Sequence, residues 1–163
     1  MNKKLKLSLF LLRISLGWTF LWAFVDKAWG LGFTTKTADA WINGGSPTSG
    51  FLMFATKGPF ADFFKSLVGN NFVDVLFMAG LLGIGAGLLL GLAMRLSVFS
   101  GVVLLALMYI AGSIPPEHNP LIDEHIVYIF SLLALYYLNA DTIVGMGNWW
   151  RNLKLIKKFP FLA

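Results

Sequence analysis

Apolar residues run along this chain in long, almost unbroken stretches, with the polar residues gathered between them. Four stretches reach the length at which a helix crosses a bilayer, about 20 residues. They run from about Leu5 to Val25, Phe72 to Met94, Leu96 to Ile114 and Asp123 to Ile143, the last polar at both ends. Hydrocarbon offers backbone N–H and C=O groups no partner, so segments of this kind must close their hydrogen bonds internally as helices. The pattern predicts an all-α integral membrane protein, a four-transmembrane-helix bundle formed as a single domain over residues 1–163. Lys3, Lys4 and Lys6 precede the first stretch as they would in a signal peptide. No small-residue cleavage site follows it, because the chain continues Trp22-Ala23-Phe24-Val25-Asp26-Lys27, and it reads as an uncleaved first span.

The connections are unequal. Almost nothing but Arg95 separates the second and third spans, which predicts a tight helical hairpin. A loop of about residues 29–71 joins the first and second, and loops of that length are commonly functional or carry structure of their own. Thr35 or Thr37 would cap a turn leading to Trp41 and ended by Gly44-Gly45. Ser46-Pro47 opens a piece holding Phe51, Leu52 and Phe54, and Gly58-Pro59 opens another, with Phe60, Phe63, Phe64 and Leu67 on one face. These predict short amphipathic helices lying as a lid on one end of the bundle. In the second span Ala79, Gly83, Gly87 and Gly91 recur every fourth residue. Small residues at that spacing admit a close helix, either inside the bundle or across a homodimer seam on the Gly83/Gly87/Gly91 face.

Composition sharpens this picture. Hydrophobic residues make up 57% of the chain and charged residues only 13%, about half the charged share of a soluble domain. Cysteine is absent, which excludes disulfides, thiolate zinc sites, iron–sulfur clusters and thiol relays within the chain. Positive charge sets orientation. Lys3, Lys4, Lys6, Arg13, Arg95, Arg151, Lys154, Lys157 and Lys158 fall at or near one side, which is the expected cytoplasmic side with both termini on it. Lys27, Lys36, Lys57 and Lys65 fall on the other side, where Asp26, Asp39, Asp62, Asp74, Glu117, Asp123 and Glu124 also collect. The net charge of +5 is thus a basic fringe facing anionic lipid, with no nucleic-acid partner implied. Trp149 and Trp150 stand where an interfacial anchor belongs, and the basic tail over 145–163 has the make-up of a segment lying on the membrane surface.

Ionisable groups within spans are costly and mark candidate sites. Arg13 lies about two turns into the first span. It would either snorkel to the inner surface or pair with Asp141 as a structural clamp. The outer end is richer: Asp26 and Lys27 close the first span, Pro115-Pro116-Glu117-His118-Asn119-Pro120 makes a stiff turn, and Asp123, Glu124 and His125 open the fourth. Histidine titrates near neutral pH and suits proton-coupled chemistry, while Asp123 and Glu124 equally suit the start of a helix. The His-x6-His spacing of His118 and His125 crosses Pro120 and lacks a metal-ligand register, so no metal or haem is expected. No phosphate loop, nucleophile triad or dinucleotide fingerprint is present.

Several of these residues fall into a recognisable pattern. Leu11-Leu12-Arg13-Ile14-Ser15-Leu16-Gly17, followed by Phe20-Leu21 and Lys27, resembles the opening of the DoxX/DoxD superfamily of small four-helix membrane proteins. Gly91-Leu92-Ala93-Met94-Arg95-Leu96 resembles its middle hairpin. Asn119 to Tyr128, with Gly145-Met146-Gly147-Asn148-Trp149-Trp150 after it, is similar to the DoxD branch. The resemblance implies a membrane subunit of a thiosulfate:quinone oxidoreductase, which oxidises thiosulfate to tetrathionate and passes electrons to quinone beside a DoxA-like partner. It implies no covalently bound cofactor, quinone as electron acceptor and a prokaryotic cytoplasmic membrane as the setting. On that reading His125 and Glu124 handle protons or a quinone carbonyl, and Lys27 or Arg13 stabilises negative charge. His118, Asp26, Trp22 and Tyr128 line the substrate site. The rival is a non-enzymatic accessory or assembly subunit of a larger membrane complex, which the lack of any cofactor ligand favours.

Overall fold

A computed structural model of the chain describes residues 1–162 apart from Ser113, Glu117 and His118. Among these residues the fold is entirely helical. Helix α1, Lys3–Trp29, begins at Asn2, whose side chain accepts the Leu5 N–H at 2.8 Å. It ends at Gly30 in the left-handed conformation (φ 66°), where the Gly30 N–H closes on the Asp26 carbonyl. The lid segment follows, with single turns at Thr37–Asp39 and Trp41–Asn43, a wide turn at Phe51–Ala55 and the short helix α2, Ala61–Lys65. Helix α3, Asn71–Leu90, is capped by the Asn70 side chain and stopped by Gly91 (φ 69°). Helix α4, Met94–Ala111, returns toward the lid. Helix α5, Glu124–Tyr137, starts at the Asp123 cap. Two short helices, α6 at Gly147–Asn152 and α7 at Lys154–Lys158, form the tail.

The helices alternate in direction, with α1 packing on α3 and α5, and α4 packing on α3 and α5. One end of the bundle therefore carries the lid and the α4–α5 connection. The other end, which is basic, carries the start of α1, the α3–α4 turn and the tail. Leu16, Phe20, Met78, Ile84, Leu105 and Leu132 are among the buried residues that hold the bundle together. Two glycines allow α1 and α3 to approach closely. A methyl group on Gly85 would lie 2.6 Å from the Leu21 backbone nitrogen, and one on Gly17 would lie 3.0 Å from that of Leu89.

Three helices, α1, α3 and α4, are long and apolar enough to cross a membrane. Their outward faces are apolar as well: Leu11, Trp18, Phe72, Leu76, Phe99 and Val103 are all exposed on the isolated chain. An exposed apolar surface of this kind on several helices calls for a lipid solvent, and the chain has the features of a membrane protein. The fourth apolar stretch folds differently from a plain span. Helix α5 has 14 residues, about 21 Å of helix against about 30 Å of hydrocarbon. Asn139 takes a left-handed conformation (φ 50°), and a tight turn at Ala140–Thr142 follows. The apolar run to Ile143 thus continues beyond the helix as irregular backbone packed against α1.

Candidate functional site

The lid end holds three carboxylates with distinct roles. Asp26, buried in the last turn of α1, accepts hydrogen bonds from the Phe33 N–H (3.2 Å), the Thr34 N–H (2.8 Å), the Thr34 hydroxyl (2.6 Å) and the Thr35 N–H (3.0 Å). It staples the start of the lid to α1, and its lone pairs are occupied. Asp74, buried in the first turn of α3, accepts from the Ser46 hydroxyl at 2.9 Å and from the Thr48 N–H and hydroxyl. It pins the middle of the lid. The Lys57 N–H donates to the Ala111 carbonyl at 3.0 Å and ties the lid to the end of α4.

Asp123 has a different use. One carboxylate oxygen caps α5 by accepting the N–H groups of His125 (3.0 Å) and Ile126 (3.3 Å). The other lies 2.8 Å from His125 Nδ1. Both side chains are about four-fifths buried. A carboxylate at Nδ1 holds the proton on that nitrogen and fixes the ring, so that Nε2 is the acceptor of the neutral imidazole. His125 Nε2 makes no hydrogen bond among the described residues. The arrangement is an oriented imidazole with one nitrogen open to exchange a proton. The sequence reading missed the part played by Asp123, although the Asp-x-His spacing at a helix start contains it, since a capping carboxylate has a second oxygen facing the residue two positions on.

The other predicted residues scatter. Glu124 is exposed beside His125 and has neither hydrogen bond nor ion pair among the described residues. Lys27 is half-buried in the last turn of α1, where its charge suits the helix terminus. No bond joins it to His125 among the described residues. Trp22 stacks on Trp18 (ring centroids 5.5 Å apart) and meets the edge of Phe33 at 5.1 Å. Tyr128 is half-buried against the main core. His118 and Glu117 lie outside the described residues.

Arg13 is at the opposite end of α1 from Lys27, about 21 Å along the helix at 1.5 Å per residue. It is fully buried. The expected Arg13–Asp141 ion pair does not form. Arg13 Nη2 donates instead to the carbonyls of Val144 and, at 3.4 Å, Ile143, while Asp141 pairs with Arg151 at 2.8 Å. The carbonyls that Arg13 binds belong to the irregular backbone that follows the Ala140–Thr142 turn. Gly91 and Gly145 make room for it, since a methyl group on either would collide with Nη1. Arg13 is a structural tie between α1 and the chain after α5.

An apolar cavity of about 670 Å³ lies between α3 and α4 beneath the lid. Phe51 and Phe64 of the lid, Gly80 and Gly83 of α3, and Ser97 and Phe99 of α4 line it, and no charged residue does among the described residues. His125, Trp22 and Tyr128 are not among its lining residues. Among the described residues no cluster of side chains has the make-up of a metal site.

The fold and these sites define a class, a lidded helical bundle with membrane-type spans and one oriented histidine. No protein-family model, curated protein or solved structure matches the chain.

Proposed function

We propose that the chain is a DoxD-like membrane subunit of a thiosulfate:quinone oxidoreductase, with His125 as its proton-exchanging group. The His125–Asp123 pair carries this reading. Joining two thiosulfates into tetrathionate releases two electrons and no protons, whereas quinone takes up two electrons and two protons to become quinol. The protons must come from the medium, and an imidazole held by a carboxylate is the group on this chain suited to deliver them. The apolar cavity has the size and lining expected for a quinone ring and the first units of its tail. His125 lies outside its lining, and the chain has no cysteine. Electrons on this reading pass directly between the substrates or enter through a partner chain of DoxA type. On this reading four segments span a prokaryotic cytoplasmic membrane with both termini inside, and the short α5 is accommodated by local thinning or by the irregular backbone Arg13 ties down.

A second reading, a non-enzymatic assembly subunit, is favoured by one observation. Asp26 and Asp74 spend their hydrogen-bonding capacity on holding the lid, and Arg13 Nη2 ties α1 to the chain after α5. The test is quinone reduction driven by thiosulfate, with the protein and its co-purifying partner in lipid nanodiscs. Activity that His125→Ala abolishes supports the enzyme. Stoichiometric capture of a large membrane partner, with no thiosulfate-driven reduction by the preparation, supports the assembly subunit.

A further inference from the structure

The basic end of the bundle carries a second cavity, of about 540 Å³, at the meeting of α4, α5 and the tail. Arg95 reaches it from the first turn of α4. Tyr136, Tyr137 and Asn139 line it from the end of α5, and Arg151 and Lys157 from α6 and α7. Among the described residues no carboxylate lines it. Asp141 is paired to Arg151 but stands outside the lining, so three cations face the cavity with one neutralised.

The wall is built, and more than a fringe of solvated lysines. Both Asp141 oxygens hold Arg151 Nη2, at 2.8 and 3.0 Å. Buried Ile156 seats α7 beside Lys157. The Trp150 indole N–H donates to the Leu162 carbonyl at 2.7 Å and folds the tail back on itself. The hydroxyls of Tyr136 and Tyr137 make no hydrogen bond among the described residues and remain available as donors. Leu96 and Leu138, next in sequence to Arg95 and Tyr137, are exposed and apolar.

We infer that this cavity binds the phosphodiester headgroup of an anionic phospholipid, drawn from the membrane around the protein. Arg95 and Lys157, beside an Arg151 already held by Asp141, and two phenol donors match a phosphodiester, whose oxygens only accept hydrogen bonds. The excess positive charge selects a lipid with net negative charge over a zwitterionic one, whose ammonium the same cations repel. Exposed apolar residues beside the cations give the acyl chains a surface to lie on. The proposal is independent of the redox reading and of which leaflet the basic end faces.

The test is native mass spectrometry of the full chain in phosphatidylcholine-containing detergent micelles, titrated with phosphatidylglycerol. Expected is retention of one or two phosphatidylglycerol molecules in preference to phosphatidylcholine. Retention should fall roughly 30-fold when Arg95→Gln and Lys157→Gln are combined, at about 1 kcal/mol for each basic residue removed. Both residues are exposed, so helical content by circular dichroism should be unchanged. The charge-preserving pair Arg95→Lys and Lys157→Arg should keep most of the binding. Equal retention of the two lipids would overturn the inference, and so would phosphatidylglycerol retention that the double variant leaves intact. An equal loss on Lys3→Gln with Lys4→Gln, which lie outside the cavity, would reduce it to general surface attraction. Displacement of the lipid by millimolar inorganic phosphate would make it a free-anion site.

Discussion

At the scale of single residues, buried charges in this protein divide by what surrounds them. Asp26 meets three backbone N–H groups and a hydroxyl. Its replacement by Ala leaves those donors without an acceptor and should destabilise the fold by roughly 1.5–3 kcal/mol, read as a lowered midpoint of detergent unfolding. Asn, which keeps one acceptor oxygen, should lose less. Arg13→Ala should be destabilising by roughly 2–4 kcal/mol, since it empties a fully buried position and leaves the Ile143 and Val144 carbonyls without their donor. Arg13→Lys should recover only part, because one ammonium cannot reproduce the planar fork. The sequence marked Asp26, Arg13 and His125 alike as ionisable groups near membrane depth. It did not give the partners of Asp26 and Arg13, because these belong to irregular segments (33–35 and 143–144) whose course hydropathy does not encode.

At the scale of elements, the apolar helices and the start of α5 at Asp123 were legible, whereas Gly91, read inside a span reaching Met94, stops α3. Asn2, Asn70 and Asp123 sit at caps, and Gly30 and Gly91 at stops. The end of α5 was not legible, since nothing in an apolar run announces that Asn139 will turn left-handed. The four-residue glycine ladder was visible too, but its neighbours were not. Gly91 faces Arg13, Gly87 faces Ser97, and Gly83 has open space in the cavity, while Gly85, off the ladder, meets α1. This separates substitutions sharply. Gly85→Ala forces the α1–α3 backbones apart and should destabilise by about 1–3 kcal/mol. Gly80→Ala and Gly83→Ala meet nothing within 4 Å and should be neutral or stabilising by up to ~1 kcal/mol through helix propensity. Thermal unfolding of the three variants in one detergent checks the order.

At the scale of the whole molecule, the apolar exterior of α1, α3 and α4 is that of a membrane protein, and the asymmetric spread of lysines and arginines is the ground for the proposal that the basic end faces inward. The absence of cysteine makes this simple to test. With Lys3→Cys and Lys36→Cys made separately in intact cells, a membrane-impermeant maleimide should label the second and spare the first; the reverse pattern would invert the topology. The lid, fastened by Asp26, Asp74 and the Ala111 carbonyl, closes the outer end in this placement and leaves the His125–Asp123 pair beside it. The claim that joins fold to function is that this pair moves protons for a quinone. It is tested most directly by comparing thiosulfate-driven quinone reduction for wild type, His125→Ala and Asp123→Asn in nanodiscs with any native partner retained. The account predicts loss of activity in His125→Ala and a drop of about 10–100-fold in Asp123→Asn, the usual effect of removing the group that orients a functional histidine. Rates equal to wild type in both variants would contradict it.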